Sequence, residues 1–503
     1  MNPKLVILLV VLLNIQSASA ELAATQYGVT EFPASGDPSL HPRFIQGLLM
    51  LHNFEYEDAR EVFREVRRKD PDFVMAYWGE ALTHDHPLWH QKDLDAANTV
   101  LRALGATPKE QIARAPTARE QAYLKSLHLL FGQEAVDGVD GSASELARDE
   151  AYSAALKDIV SAYPDDLDAQ ALYALSILGT SHDGRDFNKY MRAAAVTETI
   201  LDRNPRHPGA LHYNIHSYDD PVHSPLGLRA ADVYAGIAPA AVHALHMPAH
   251  IFFALGDYTR ANALNERSWE AGLARMAAKS LPFDGQAYHS LSWLIYGRTQ
   301  LGEVKNAREL IATIQEQLER NADQMARMAF IVARGNFIVD TQAWSDPLLD
   351  VPVDHAGLPP YVIATDQYVS GVRYLKAGDV LGAKQILADF VSAADPDSRN
   401  RRVAAPVILE MLLHAQIDLA AGKTEQAIER LQASVRREHA LSPAVGPPIP
   451  VQPTAELLGD VYLDLGRPTE AAAAYRQALT RAVNRTRSAQ GLAASNSKAG
   501  LSN

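Results

Sequence analysis

Small and apolar residues recur along this chain at fixed intervals within paired helical runs. The first pair runs from His41 to Pro71, where Gly47, Ala59, Phe63 and Pro71 mark a helix–turn–helix unit. A small residue lets two helices cross closely, an aromatic fills the gap between units, and a proline ends the second helix. The template returns. Pro205 closes a unit whose second helix is expected over Asn188 to Leu201. Leu255 to Tyr258 and Leu301 to Glu303 read as helix–helix turns, followed by Ala261 and Ala307 at the crossing position. Gly371, Ala383 and Leu387 fit again, as do Ala415, Ala427 and Leu431. The last unit is the clearest, with Leu458, Gly459, Tyr462, Ala471, Tyr475 and Ala478 all in place.

These intervals resemble the tetratricopeptide repeat over most of the chain, strongly in the first and last units and loosely between them. The resemblance implies an all-α fold: a right-handed superhelix of antiparallel helix pairs, first helices lining a concave surface, second helices facing outward. Four segments break the rhythm. Leu101 to Glu120 reads as a loop with short helices and the Gly- and Asp-rich Gly132 to Ser144 as a loop. Asp340 to Tyr361 reads as an irregular connection, and Val445 to Pro453 as an extended linker. The expected division is an arm over 21–39, a first array over 40–339, a linker over 340–361, a second array over 362–485 and a tail over 486–503. The tail begins like another first helix, with Gly491 at the small position, but is expected to fray. No strands are evident.

Composition narrows the picture. Nearly half of the 503 residues are apolar, Ala and Leu dominate, and β-branched runs are scarce, which favours a large helical core. Residues 1–20 read as a signal peptide: Lys4, the apolar run Val6 to Leu13, then Ser17 to Ala20 before a cleavage site after Ala20. No later stretch reads as long and apolar enough to cross a membrane. The expectation is an exported protein, periplasmic or secreted. Without Cys there is no disulfide and no thiolate ligand, so any metal must use His, Asp, Glu, Met or backbone oxygen. A net charge of −13 disfavours nucleic acid as a partner.

The candidate chemistry is concentrated. Seven of the eighteen histidines fall between His207 and Tyr258. His243, His246 and His250 stand at i, i+3 and i+7, and His212 and His216 at i, i+4, each set on one helical face. By the resemblance, these positions and His289 lie on the groove-facing side of three successive first helices. Six histidines are then expected to converge on one patch, since neighbouring helices pack about 8–10 Å apart. Asp219 and Asp220 are candidate ligands, tautomer-fixing partners or a base, and His223 is expected near the groove's mouth. A weaker cluster holds His84, Asp85, His86 and His90, with Glu80 one turn before His84 as a further candidate base. His52, His128, His182, His355, His414 and His439 look isolated, and Trp78, Trp269 and Trp293 read as core.

The stretch also resembles a group of exported bacterial tetratricopeptide proteins. The matching residues are His207-Pro208-Gly209, His212-Tyr213, Ile215-His216, His243, His246-Met247-Pro248, His250-Ile251, Gly256 and Tyr258, with Met75 to Ala81 upstream. That resemblance implies a common fold and site and supplies no reaction. An all-histidine set suits Zn, Cu, Ni or Fe. Three functions follow. The first is a transition-metal site in the concave groove, with a small-molecule or peptide ligand. The second is a metal-dependent hydrolase or oxidase on the same histidines. The third is a metal-free scaffold for a protein partner. No nucleophile elbow surrounds any Ser, and no Gly-rich phosphate loop follows a strand.

Overall fold

The structure is a computed structural model that describes residues 26–134, 144–283 and 285–500. The signal peptide expected over 1–20 lies outside the described residues, as does most of the Gly132 to Ser144 loop. The described chain is all-α, built from antiparallel helix pairs. It divides into two compact units. The first holds residues up to Tyr218 together with Gly227–Pro248, and the second holds Asp219–Leu226 and Ala249 onward. The expected linker over 340–361 lies inside the second unit.

In the first unit, helix His41–His52 pairs with Tyr56–Lys69. The second helix carries Glu57 and Asp58 in its first turn and Arg67, Arg68 and Lys69 in its last, matching charge to the helix dipole at both ends. Phe63 sits where the sequence intervals place it. A Cβ on Gly47 would lie 2.9 Å from its ring and one on Gly79 2.6 Å away, so the ring fills the space two first helices leave open. After Val74–Leu82 the chain forms a short antiparallel ladder, Asp85–His86 against Gln91–Lys92. This corrects the expectation of no strand. The preceding helix ends at Leu82, so Glu80 and His84 do not share a helical face.

Helices Leu167–Gly179, Phe187–Arg203 and Pro208–Tyr218 follow, then Leu228–Ile237 and the short Val242–His246. The helix expected to carry His243, His246 and His250 on one face is interrupted at Met247. Pro248 has no N–H to give the preceding turn, and the division between units falls there too.

Among the described residues the second unit runs through nine α-helices from Tyr258–Lys279 to Thr454–Asp464, then Pro468–Leu479 and Thr486–Ala499. Gly256 (φ 70°) and Gly302 (φ 76°) occupy the expected turns in the left-handed region. The segment expected to fray is an ordered helix, Thr486–Ala499. Its Gly491 presses on Tyr475 as Gly459 does from the other side, and Ser488, Ser495 and Asn496 are buried. A second correction concerns Arg401–Ala420. By length and composition it is apolar enough to cross a membrane, contrary to expectation. Its Ile408, Leu409, Leu412 and Leu413 are fully buried against the other helices of the unit, which accounts for that composition.

Candidate metal centre

Within the first unit, three of the expected histidines come together. His212 and His216 project from one face of helix Pro208–Tyr218, and His243 from Val242–His246. His212 Nε2 lies 3.2 Å from His216 Nε2 and 3.1 Å from His243 Nε2. One candidate ligand atom from each of the three lies within 4.8 Å of the others. His212 and His243 are buried and His216 is partly exposed.

The tautomer of His212 is set by the backbone. Its Nδ1 lies 2.8 Å from the carbonyl oxygen of His52. A carbonyl only accepts, so Nδ1 carries the proton and Nε2 presents its lone pair to the other two rings. A metal held tetrahedrally at about 2.0–2.1 Å from each nitrogen separates its ligands by about 3.3–3.4 Å. The two separations from His212 Nε2 are close to that, and the His216–His243 pair lies within the 4.8 Å limit.

The wall around the trio comes from a turn the sequence marked only as a helix–helix connection. Asn53, Phe54 and Glu55 join the first two helices. Phe54 adopts φ 59°, a left-handed conformation rare outside glycine, and its ring centroid stands 4.2 Å from His212 and 5.5 Å from His243. Glu55 Oε1 accepts the backbone N–H of His243 at 3.1 Å, and Asn53 Oδ1 accepts Tyr234 O–H at 2.6 Å.

Behind the trio is a buried network that sequence reasoning missed. His52, Asp168 and His207 are fully buried. His52 Nε2 is 2.8 Å and His207 Nε2 3.3 Å from Asp168 Oδ1, while Thr30 Oγ1 donates to Asp168 Oδ2 at 2.7 Å. His207 Nδ1 accepts the N–H of Ala210, and His52 Nδ1 accepts Tyr213 O–H at 3.0 Å. His52 therefore points a proton at the carboxylate, while His207 Nε2 faces the same oxygen without making a hydrogen bond to it. Burial alone would push the Asp168 carboxyl up; the pull of the His207 and His52 imidazoles outweighs it and holds it well below the usual range. The anion sits in the first turn of Leu167–Gly179, where the helix dipole also favours it. No local pattern marks this group, because its members are far apart in sequence.

The other candidates are placed as follows. His246 is buried in the first unit, its ring centroid 6.2 Å from that of His243. In the second unit, His250 Nδ1 lies 2.5 Å from Asp219 Oδ2, a contact that can fix the ring's tautomer. His250 packs 4.3 Å from the Trp293 ring and 6.3 Å from that of His289. His289 reaches solvent yet is densely surrounded. Lost hydration, then the charges of His250 and Arg402, depress its pKa. Asp220 is taken up by its own turn, accepting the N–H groups of Val222 and His223 and contacting His223 Nδ1 at 2.8 Å. Glu80 takes no part in the trio. It is fully buried and held by Arg64 at 3.0 Å and by Arg67. His84 is pushed down to about 4 by burial and by Arg60. His86 stacks on Tyr56 at 4.0 Å.

The first unit also contains a cleft of about 470 Å³. Its lining includes Phe54, Tyr56, Asp85, Tyr152, Tyr213 and several leucines. Among the described residues, Tyr56 Oη is buried there with no hydrogen-bond partner. Burial drives the Asp85 carboxyl up to about 6 against the pull of Lys92, and the charge of Asp149 adds to the rise.

Residues 412–491 match the tetratricopeptide-repeat family model. No curated protein sequence matches the chain. Among solved structures, the chain is similar to an APC/C Cut9–Hcn1 hetero-tetramer at 12% identity and TM-score 0.39, covering 97% of this chain and 81% of that one. It is similar to a human IFIT1 dimer with m7Gppp-AAAA at 12% identity and TM-score 0.37, covering 92% and 93%. It is also similar to yeast Tom70 at 10% identity and TM-score 0.31, covering 92% and 89%.

Proposed function

We propose that this chain is an exported helical-repeat protein that holds a divalent transition metal, Zn, Cu or Fe, on His212, His216 and His243. The observation that carries this reading is the meeting of three Nε2 atoms with the His212 lone pair fixed inward. His212 Nε2 has one lone pair, and two imidazoles approach it. Neutral rings satisfy such a meeting only by sharing one acceptor between two donors, whereas a cation takes a lone pair from all three. Export is supported by the pattern of residues 1–20. The cleft beside Phe54, mainly apolar with a few polar groups, suits a small-molecule ligand better than a chain of nucleotides, in keeping with the net charge of −13.

A second reading, metal-dependent hydrolysis or oxidation, is favoured by the donor set itself. Three histidines with one partly exposed ring match metal sites that keep a coordination position for water. Such a metal would supply an activated water or a polarised substrate oxygen. Elemental analysis of untagged protein from the periplasmic fraction tests both, beside a His212→Ala, His243→Ala double variant. Stoichiometric metal in the wild type, lost in the variant, is the expected result. Absence of metal in both, with added metal not retained, would leave a metal-free protein-binding scaffold.

A further inference from the structure

A second group of ligand-type side chains lies elsewhere in the first unit, where the short ladder meets two helices. His90 ends the Pro87–Trp89 turn, Asp149 lies on Glu145–Ala162, and His182 follows Leu167–Gly179. Their ligand-type atoms lie within 4.8 Å of one another. His182 Nε2 is 2.8 Å from Asp149 Oδ2, and the rings of His90 and His182 are 4.2 Å apart. Among the described residues, His90 Nδ1 is buried with no hydrogen-bond partner. His90 also adopts φ 51°, a left-handed conformation, and its ring stands against that of His182.

The surrounding charge has the sign a cation requires. Lys92 is almost fully buried and contacts three carboxylates: Asp149 at 2.8 Å, Asp85 at 3.1 Å and Glu145 at 3.2 Å. One ammonium against three carboxylates leaves negative charge in excess beside two imidazoles. Lys92 engages Asp149 through Oδ1 and His182 engages it through Oδ2, so the two sides of the carboxylate serve different partners. A structural ion-pair network accounts for Lys92 and its carboxylates. It gives no reason for the left-handed His90 or its unpartnered buried nitrogen.

We propose that His90, Asp149 and His182 form a second divalent-cation site in the first unit, separate in its residues from His212, His216 and His243. Two imidazoles and one carboxylate form a donor set suited to Zn²⁺ or Fe²⁺ rather than to Ca²⁺ or Mg²⁺.

The test is Zn²⁺ stoichiometry by chelator-competition titration of the metal-stripped full chain. The wild type should bind two ions. A His90→Asn, His182→Asn variant should bind one, and a His212→Ala, His243→Ala variant should bind one, the other one. A milder His182→Gln variant keeps an amide donor for Asp149 and should weaken the second site at least tenfold while retaining the wild-type circular dichroism spectrum. An unchanged Zn²⁺ count and affinity in the His90/His182 variants would overturn the proposal and leave the first site standing.

Discussion

Replacing Asp168 by Asn tests the network that backs the proposed metal site. The carboxylate is fully buried, receives hydrogen bonds from His52 and Thr30, and has His207 Nε2 3.3 Å away. Hydrogen bonds to a charged group contribute about 1.5–3 kcal/mol each. An Asn retains one oxygen acceptor and turns an N–H₂ toward donors already in place, so one to two such bonds are lost. The expected destabilisation is about 3 kcal/mol, read as a lower urea midpoint at pH 7. The pH dependence follows from the depressed pKa of Asp168. A carboxyl held below its unfolded value contributes stability in full above that value, and loses it as pH falls through the folded value. The gap between wild type and variant should therefore be as large at pH 5 as at pH 7 and close only in stronger acid. The variant should also bind Zn²⁺ more weakly, by up to about tenfold, because the His52 carbonyl that fixes His212 is no longer held. An unchanged urea midpoint, or a gap that closes between pH 7 and pH 5, would refute this view of Asp168.

Three further outcomes are expected. Glu80→Gln should lower stability by about 1–3 kcal/mol through its lost pairing with Arg64 and Arg67, with metal content unchanged; loss of metal would return Glu80 to the site. Deleting residues 486–503 should lower the thermal midpoint, since Tyr475 loses a covering helix and Glu456 loses the Ser488 hydroxyl; uncovering one large side chain costs about 1.5–3 kcal/mol, and an unaltered melt would restore the frayed tail. Gly209→Ala places a methyl against the His52 ring and should cost about 1–3 kcal/mol by overpacking; a variant as stable as wild type would show that His52 can move freely.

Much of the fold was legible because helix crossings demand particular sizes. Gly47 and Gly79 against Phe63, and Gly459 and Gly491 against Tyr475, are steric requirements that leave a mark on the sequence. The same logic pointed to a helix after Thr486, and the expectation of fraying failed because a single helix can be held by the hairpin before it. His212, His216 and His243 were legible from helical phase together with repeat phase. What closes around them was not. Phe54 reaches the trio through a backbone conformation that its residue type does not announce, and Asp168 meets His52 across 116 positions. The break at Met247 had a visible cause in Pro248, which periodicity alone passed over. His182 looked isolated because Asp149 and His90 are distant in sequence.

The most direct test of the proposed metal site is anomalous diffraction at the zinc edge from crystals of the Zn²⁺-loaded full chain. A peak about 2.0–2.1 Å from Nε2 of His212, His216 and His243 together, with His212 Nδ1 still on the His52 carbonyl, is the expected result. No peak among those three nitrogens at saturating Zn²⁺, with the rings hydrogen-bonded to one another instead, would contradict it.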